Sequence, residues 1–389
     1  MRFSACVCAS LLFLASFDAH CIFGQEATPL FSGPLFDGPL FNGKDLSGWV
    51  LVNTPPQTWS VKDGVLLCTG KPIGELRTEK MYHNFELELE WRHMVPGGNA
   101  GVFVWADDIT SRGVPFHRGI EVQVLENAYG NTQSHTTHGD IFPIHGAKLT
   151  PTNGRGGGSR AFPTEERSKP SPEWNHYRIV CNDGKISLAV NGKVVTQGTD
   201  ASPRKGYICL ESEGGVAQYR NLRIKELAET PIDAQDVAIS NRGYRSIYTG
   251  LDLEGWKVKE AGIGAWQVKD WVLAFDGSVA GEPARLETAE AKQLNGLVMD
   301  FRFTEKSEQL RLTLPGIQEP IAFAAKGDSP LATSMGKVGS WNRIEVVTDQ
   351  GRVHLTLNGK RHELSGTLGS GPISIEPTGP VEVANIYVR

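Results

Sequence analysis

From Leu40 onward the apolar residues of this 389-residue chain come in short runs that alternate with polar ones. Residues 85–91 read Phe-Glu-Leu-Glu-Leu-Glu-Trp; residues 101–105 alternate too, and 177–180 and 185–190 do so more loosely. A period of two sends successive side chains to opposite faces, which makes a strand and excludes an amphipathic helix. Asp183-Gly184 and Asn191-Gly192 supply turn pairs that tolerate positive φ. With 44 Gly and 22 Pro, and no convincing long amphipathic helix, the chain is expected to be all-β.

Charge and ends narrow the setting. The net charge is −5 and no basic face or lysine run appears, so a nucleic-acid partner is not expected. Arg2, the apolar run 5–17 and Ala19-His20-Cys21 predict a signal peptide over residues 1–24. The run is too short to span a bilayer comfortably, and the residues before Cys21 fit a lipoprotein signal poorly. The expectation is an exported protein, periplasmic or secreted, with no stable membrane span; the sequence leaves its oligomeric state open. Residues 25–39 form a Pro- and Gly-rich lead-in. Without the leader three cysteines remain, Cys68, Cys181 and Cys209, spaced as neither a disulfide framework nor a zinc motif. One bridge with one thiol left over and three buried thiols both stay open.

The sequence loosely repeats. Trp49 precedes Trp59 by ten residues, as Trp256 precedes Trp266; Trp174 precedes Asn191 by seventeen, as Trp341 precedes Asn358. Two tandem β domains are expected, 40–228 and a smaller, degenerate 246–389, joined by a linker at 229–245. From Thr78 to Trp174 is 96 residues, whereas Thr288 to Trp341 is 53, so the first copy carries about forty extra residues. Residues shared by both copies read as scaffold, including the Trp-Asn pair at 174–175. Residues in the expanded segment are candidates for function.

That segment holds the chemistry. Glu121 and Gln123 share a strand face; a bulge after Val124 would bring Glu126 to the same side. A row of carboxylates on a sheet suits glycoside cleavage, although a Gln stands where the glucanases of concanavalin A-like sandwiches carry a helper acid. His135, His138, Asp140 and His145 follow within a short stretch. Proton transfer, substrate hydrogen bonding, loop order and a divalent metal held by His135, His138 and Asp140 are all open readings. Arg160, after the glycines at 154–158, is placed to reach into a cleft; Asn99 and Arg77 are weaker candidates on neighbouring strands.

The first half resembles the 3-keto-disaccharide hydrolase domain family, formerly a domain of unknown function. The resemblance rests on residues 41–49, 59–66, 99–103, 119–126, 173–175 and 188–192. It implies two concanavalin A-like jelly-roll β-sandwiches, the second a degenerate copy without the Glu-x-Gln strand. It also implies cleavage of glycosides oxidised to a ketone at carbon 3. A base removes the proton on carbon 2, the aglycone leaves carbon 1, and water adds back. Such chemistry needs a base and an oxyanion stabiliser rather than a nucleophile and acid pair. Glu121 or His138 is the expected base. Gln123, Arg160 or a metal would steady the oxyanion, and Glu126, Asp140, His145 and Asn99 would hold the sugar. The rival expectations are a carbohydrate-binding protein without catalysis and a conventional endo-glycosidase.

Overall fold

The computed structural model describes residues 38–240, 242–258, 263–278, 284–327 and 330–389. The expected signal peptide, 1–24, lies outside the described residues, as does nearly all of the lead-in. The strands gather into two sandwiches with separate apolar cores.

In the first, a nine-stranded antiparallel sheet runs Lys148–Pro151, Lys193–Ser202, Lys185–Val190, Asn175–Asn182, Phe85–His93, Ala217–Glu226, Val65–Cys68 and Trp59–Lys62, with Gly38–Pro39 beside Ala217–Glu226. It faces a six-stranded sheet ordered Trp49–Val52, Gly74–Thr78, Tyr207–Ser212, Gly101–Ala106, Gly119–Val124 and His138–Ile144. The alternation explains the core directly. Leu87, Leu89, Trp91, Tyr177 and Ile179 from one sheet meet Leu76, Val102, Val104, Ile120, Val122 and Leu210 from the other. Each large aliphatic side chain buried there stabilises the fold by about 1.5–3 kcal/mol.

In the second, the larger sheet runs Trp266–Lys269, Val272–Phe275, Val381–Val388, Gly296–Phe303, Trp341–Asp349, Arg352–Leu357 and Lys360–Leu364, with Arg245–Ser246 beside Val381–Val388. Its partner runs Trp256–Val258, Leu286–Thr288, Ser374–Thr378, Gln309–Thr313 and Ile321–Ala324. Strand for strand, this is the order of the first sandwich. Among the described residues, the first-sandwich strands with no counterpart in it are Lys148–Pro151 and His138–Ile144, both within the extra residues between Thr78 and Trp174.

Matching residues play matching parts. Asn191 Nδ2 donates to Asn175 Oδ1 at 3.0 Å, and Asn358 Nδ2 donates to Asn342 Oδ1 at 2.8 Å. Both turn asparagines have positive φ, 47° and 50°. These residues tie a hairpin turn to the strand beside it, a structural duty. The guanidinium groups of Arg92 and Arg220 lie over the Trp174 ring, 4.4 and 4.1 Å from its centroid. Cys68, Cys181 and Cys209 are free, buried thiols.

The sandwiches meet at residues 109–114. Gly113 N donates to Asp300 Oδ2 at 2.8 Å, Thr110 and Tyr387 pair through their hydroxyls at 2.8 Å, and Asn385 Nδ2 donates to the Ser111 and Val114 carbonyls. Val52, Ile109, Tyr244, Val298 and Tyr387 form a small apolar cluster at the same junction.

Candidate functional site

On the Gly119–Val124 strand, Ile120, Val122 and Val124 point into the core, so Glu121 and Gln123 lie on the outer face of the six-stranded sheet. Register fixes their neighbours. Gln123 pairs with Gly101 and Glu121 with Phe103; Phe103 pairs in turn with Cys209, and Glu211 with Glu75. Glu211 therefore joins Gly101 and Gln123 in one row across the sheet.

Gly101 decides how close the acids come. A Cβ there would sit 2.9 Å from Glu121 Oε1 and 3.0 Å from Glu211 Oε2. Two carboxylates crowd one point above the strand, in space that a methyl group would fill. Glu213, two residues beyond Glu211, joins them at the half-buried edge, where it accepts a hydrogen bond from Asn99 Nδ2. Gln123 Nε2 donates to Asn99 Oδ1 at 3.2 Å. Gln123 and Asn99 thus form a polar bridge to Glu213.

The electrostatics follow from that crowding. Burial, then the neighbouring charge of Glu213, pushes the Glu121 carboxyl up to about 8 against the opposing pull of Arg160. Burial pushes Glu213 up to about 7. Burial and the charges of Glu121 and Glu213 push Glu211 well above the usual carboxylate range. The three titrate as a unit. Around neutral pH such a trio holds both a proton to give and a carboxylate to receive one.

Asp140 and Arg160 complete the edge. Arg160 Nη1 donates to Asp140 Oδ2 at 2.9 Å, and its guanidinium lies 3.4 Å from the Phe142 ring centroid. Asp140 has no exposed surface and also accepts from the Thr136 backbone N–H at 2.9 Å and from the Thr136 hydroxyl. Asp140 thus anchors Arg160, which keeps a quarter of its side chain exposed beside Glu121. A cleft of about 580 Å³, lined in part by Arg155, Glu165 and Glu166, reaches Thr136.

Several expected site residues lie elsewhere. His138 is 1% exposed, and its Nε2 accepts from the backbone N–H groups of Arg167 and Ser168, each at 3.2 Å. Its Nδ1 meets the Thr137 and Ser168 hydroxyls at 2.9 and 2.6 Å. Burial pulls its pKa down to about 4. The ring is a neutral cross-brace between the expanded segment and residues 167–168, and the expectation of a base there is corrected on that ground. Glu126 is corrected likewise. Its carboxylate accepts from the backbone N–H groups of Gly97, Ala128 and Ser171 at 2.8, 2.7 and 2.9 Å. Partial burial opposes its charge, but those three donors outweigh it and hold the pKa below the ordinary value.

His145 faces a different cleft, about 410 Å³ at the junction of the sandwiches, with Asp107, Arg118, Arg242 and Arg343. His135 lies in a turn against the Thr132 and Ser134 hydroxyls, at 3.0 and 3.2 Å, and beside the Tyr129 ring. His135, His138 and Asp140 form no metal-binding group among the described residues. The ring nitrogens of His138 are taken by protein donors and hydroxyls, and Asp140 is paired with a cation.

Sequence reasoning missed Glu211 and Glu213. The signal was present: Cys209 and Glu211 alternate on the Tyr207–Ser212 strand and Glu213 continues the same spacing just past its end, so the period of two puts both acids toward one face.

Residues 37–225 match the family described as the 3-keto-alpha-glucoside-1,2-lyase-like domain. The first sandwich belongs to this family. A curated relative, the 3-keto-disaccharide hydrolase of Bacteroides thetaiotaomicron, is 25% identical over 215 residues, 44% of this chain and 71% of the relative. Two glycosyl-hydrolase candidates of solved structure from Parabacteroides distasonis are also similar. One is 26% identical with a TM-score of 0.37, covering 49% of this chain and 98% of its own. The other is 23% identical with a TM-score of 0.38, covering 49% and 93%.

Proposed function

We propose that the first sandwich cleaves 3-keto-glycosides by elimination across carbons 1 and 2, in an exported protein. The observation that carries this reading is the Glu121–Glu211–Glu213 cluster, with carboxyls raised to near neutral pH beside Arg160. A ketone at carbon 3 acidifies the proton on carbon 2, so a carboxylate of raised pKa is a competent base. Glu121 takes that proton, and Arg160 steadies the enolate oxygen on carbon 3. The electron pair then forms the bond between carbons 1 and 2 as the aglycone oxygen leaves carbon 1. That oxygen takes its proton from Glu213 or Glu211. Water adding across the new double bond gives the free 3-keto sugar, and the sum is hydrolysis. Gln123 and Asn99 hold Glu213 and offer amides to sugar hydroxyls. The family description and the name of the Bacteroides relative support the substrate class.

One observation favours a second reading, binding without turnover. Glu121 and Gln123 are only 7% and 6% exposed, so a sugar reaches them only if the covering residues move. Mass spectrometry of the mature chain incubated with 3-keto-glucosides and their unoxidised parents separates the readings. Aglycone released from the keto sugars alone is the expected result. Release from the parents would replace elimination by ordinary glycosidase chemistry. No release from either, with retention of the sugars, would leave a binding protein.

A further inference from the structure

We infer that Glu75, His117 and Cys209 form a binding site for a divalent cation of the zinc class, separate from His135, His138 and His145. Glu75 lies on the Gly74–Thr78 strand and Cys209 on its neighbour Tyr207–Ser212. Register pairs Glu211 with Glu75 and Cys209 with Arg77, so Glu75 and Cys209 are diagonal neighbours on the outer face. His117 enters from the segment leading into the Gly119–Val124 strand. One potential ligand atom from each lies within 4.8 Å of the others, and all three residues are fully buried.

Their contacts converge on a single nitrogen. His117 Nδ1 meets the Glu75 carboxylate and stands 3.8 Å from Cys209 Sγ. The other carboxylate oxygen, Glu75 Oε1, is buried with no hydrogen-bond partner. An oxygen, a nitrogen and a sulfur packed against one another, with one carboxylate oxygen left unpaired, is a costly arrangement in a dry interior. Arg77, the cross-strand partner of Cys209, is engaged elsewhere. Its guanidinium lies 4.1 Å from the Tyr207 ring centroid, and its Nη1 donates to the Thr78 carbonyl at 2.7 Å.

A divalent ion answers each of these groups. Carboxylate, imidazole and thiolate together suit zinc, and binding releases the thiol proton. Three protein ligands leave the fourth tetrahedral position free, the pattern of an open site. Glu75 is the sheet neighbour of Glu211, so the ion would share a face with the carboxylate cluster.

The test is metal analysis of the full chain, purified, equilibrated with excess Zn2+ or Co2+ and desalted. The expected result is one ion per chain, an increase in Tm with the ion bound, and a near-ultraviolet thiolate-to-cobalt charge-transfer band. Cys209→Ser should lose that band, His117→Gln should lower the metal content at least tenfold, and Cys181→Ser should change neither. A wild-type chain without a stoichiometric ion overturns the site, as does a cobalt form without the thiolate band. So does metal content indifferent to His117→Gln. None of these readouts depends on turnover, and the wild-type spectrum decides the matter even if a variant fails to fold.

Discussion

Replacing Gly101 by Ala adds one methyl group where two acids meet. The new Cβ would lie 2.9 Å from Glu121 Oε1, 3.0 Å from Glu211 Oε2 and 3.2 Å from Glu121 Cγ, whereas ordinary contact begins at 3.4 Å. Both carboxylates are ends of flexible side chains, so the strand is kept and the acids move. Overpacking of this kind costs about 1–3 kcal/mol, read as a lower midpoint in denaturant unfolding. The larger effect should be on rate. If Glu121 is the base, displacing it by a fraction of an ångström spoils its approach to carbon 2, and misplacement of about 1 Å costs on the order of a hundredfold. The expected kcat on a 3-keto-glucoside is therefore roughly ten- to a hundredfold below wild type. KM should change little, because the methyl group sits beneath the acids, away from the half-buried Asn99 and Glu213 edge. A folded Gly101→Ala protein with kcat within a factor of two of wild type, its methyl seen between the carboxylates, would refute the placement of the chemistry.

Other outcomes follow from the same geometry. Folding raises the Glu121 carboxyl from 4.5 to about 8, so its contribution to stability is complete below 4.5 and is lost as pH rises through about 8. Tm should fall across that upper range and fall less in Glu121→Gln; a Tm flat through it in the wild type would contradict the buried cluster. His138 has the opposite sign. Folding lowers it from 6.5 to about 4, so its contribution is present above 6.5 and is lost as pH falls through about 4. That amounts to roughly 3 kcal/mol, and acid titration of stability in His138→Gln should lack the loss. Glu126→Ala orphans three backbone donors and should cost about 2–3 kcal/mol in denaturant unfolding. A loss below about 0.5 kcal/mol would show that water replaces the carboxylate there. Arg160→Ala should lower kcat by about a hundredfold or more, and an unchanged kcat would remove Arg160 from the oxyanion role.

Much of the fold was legible because a strand states its faces locally. The alternation at 85–91 and the turns at Asp183-Gly184 and Asn191-Gly192 needed no knowledge of distant residues. The paired spacings of Trp and Asn pointed to two tandem β domains, and the two sandwiches share one strand order. The site was harder to read for a physical reason. Glu121 and Gln123 share a strand, so their common face is visible in sequence, but Glu211 is brought to them by pairing across two strands. The histidines misled because a short run of titratable groups looks the same whether its nitrogens face a ligand or the backbone. His138 spends both nitrogens on residues about thirty positions away. Glu126 misled in the same way, since a carboxylate that caps a turn cannot be told by spacing from one that holds a sugar.

The contacts of residues 109–114 bear on how the protein is made. Gly113 waits on Asp300, and Thr110, Ser111 and Val114 wait on Tyr387 and Asn385. Synthesis runs at about 5–20 residues per second, and domains fold as they emerge. The first sandwich therefore has all its own strands some ten seconds before its junction loop finds its partners. The second sandwich then acts as a late clasp on residues 109–114.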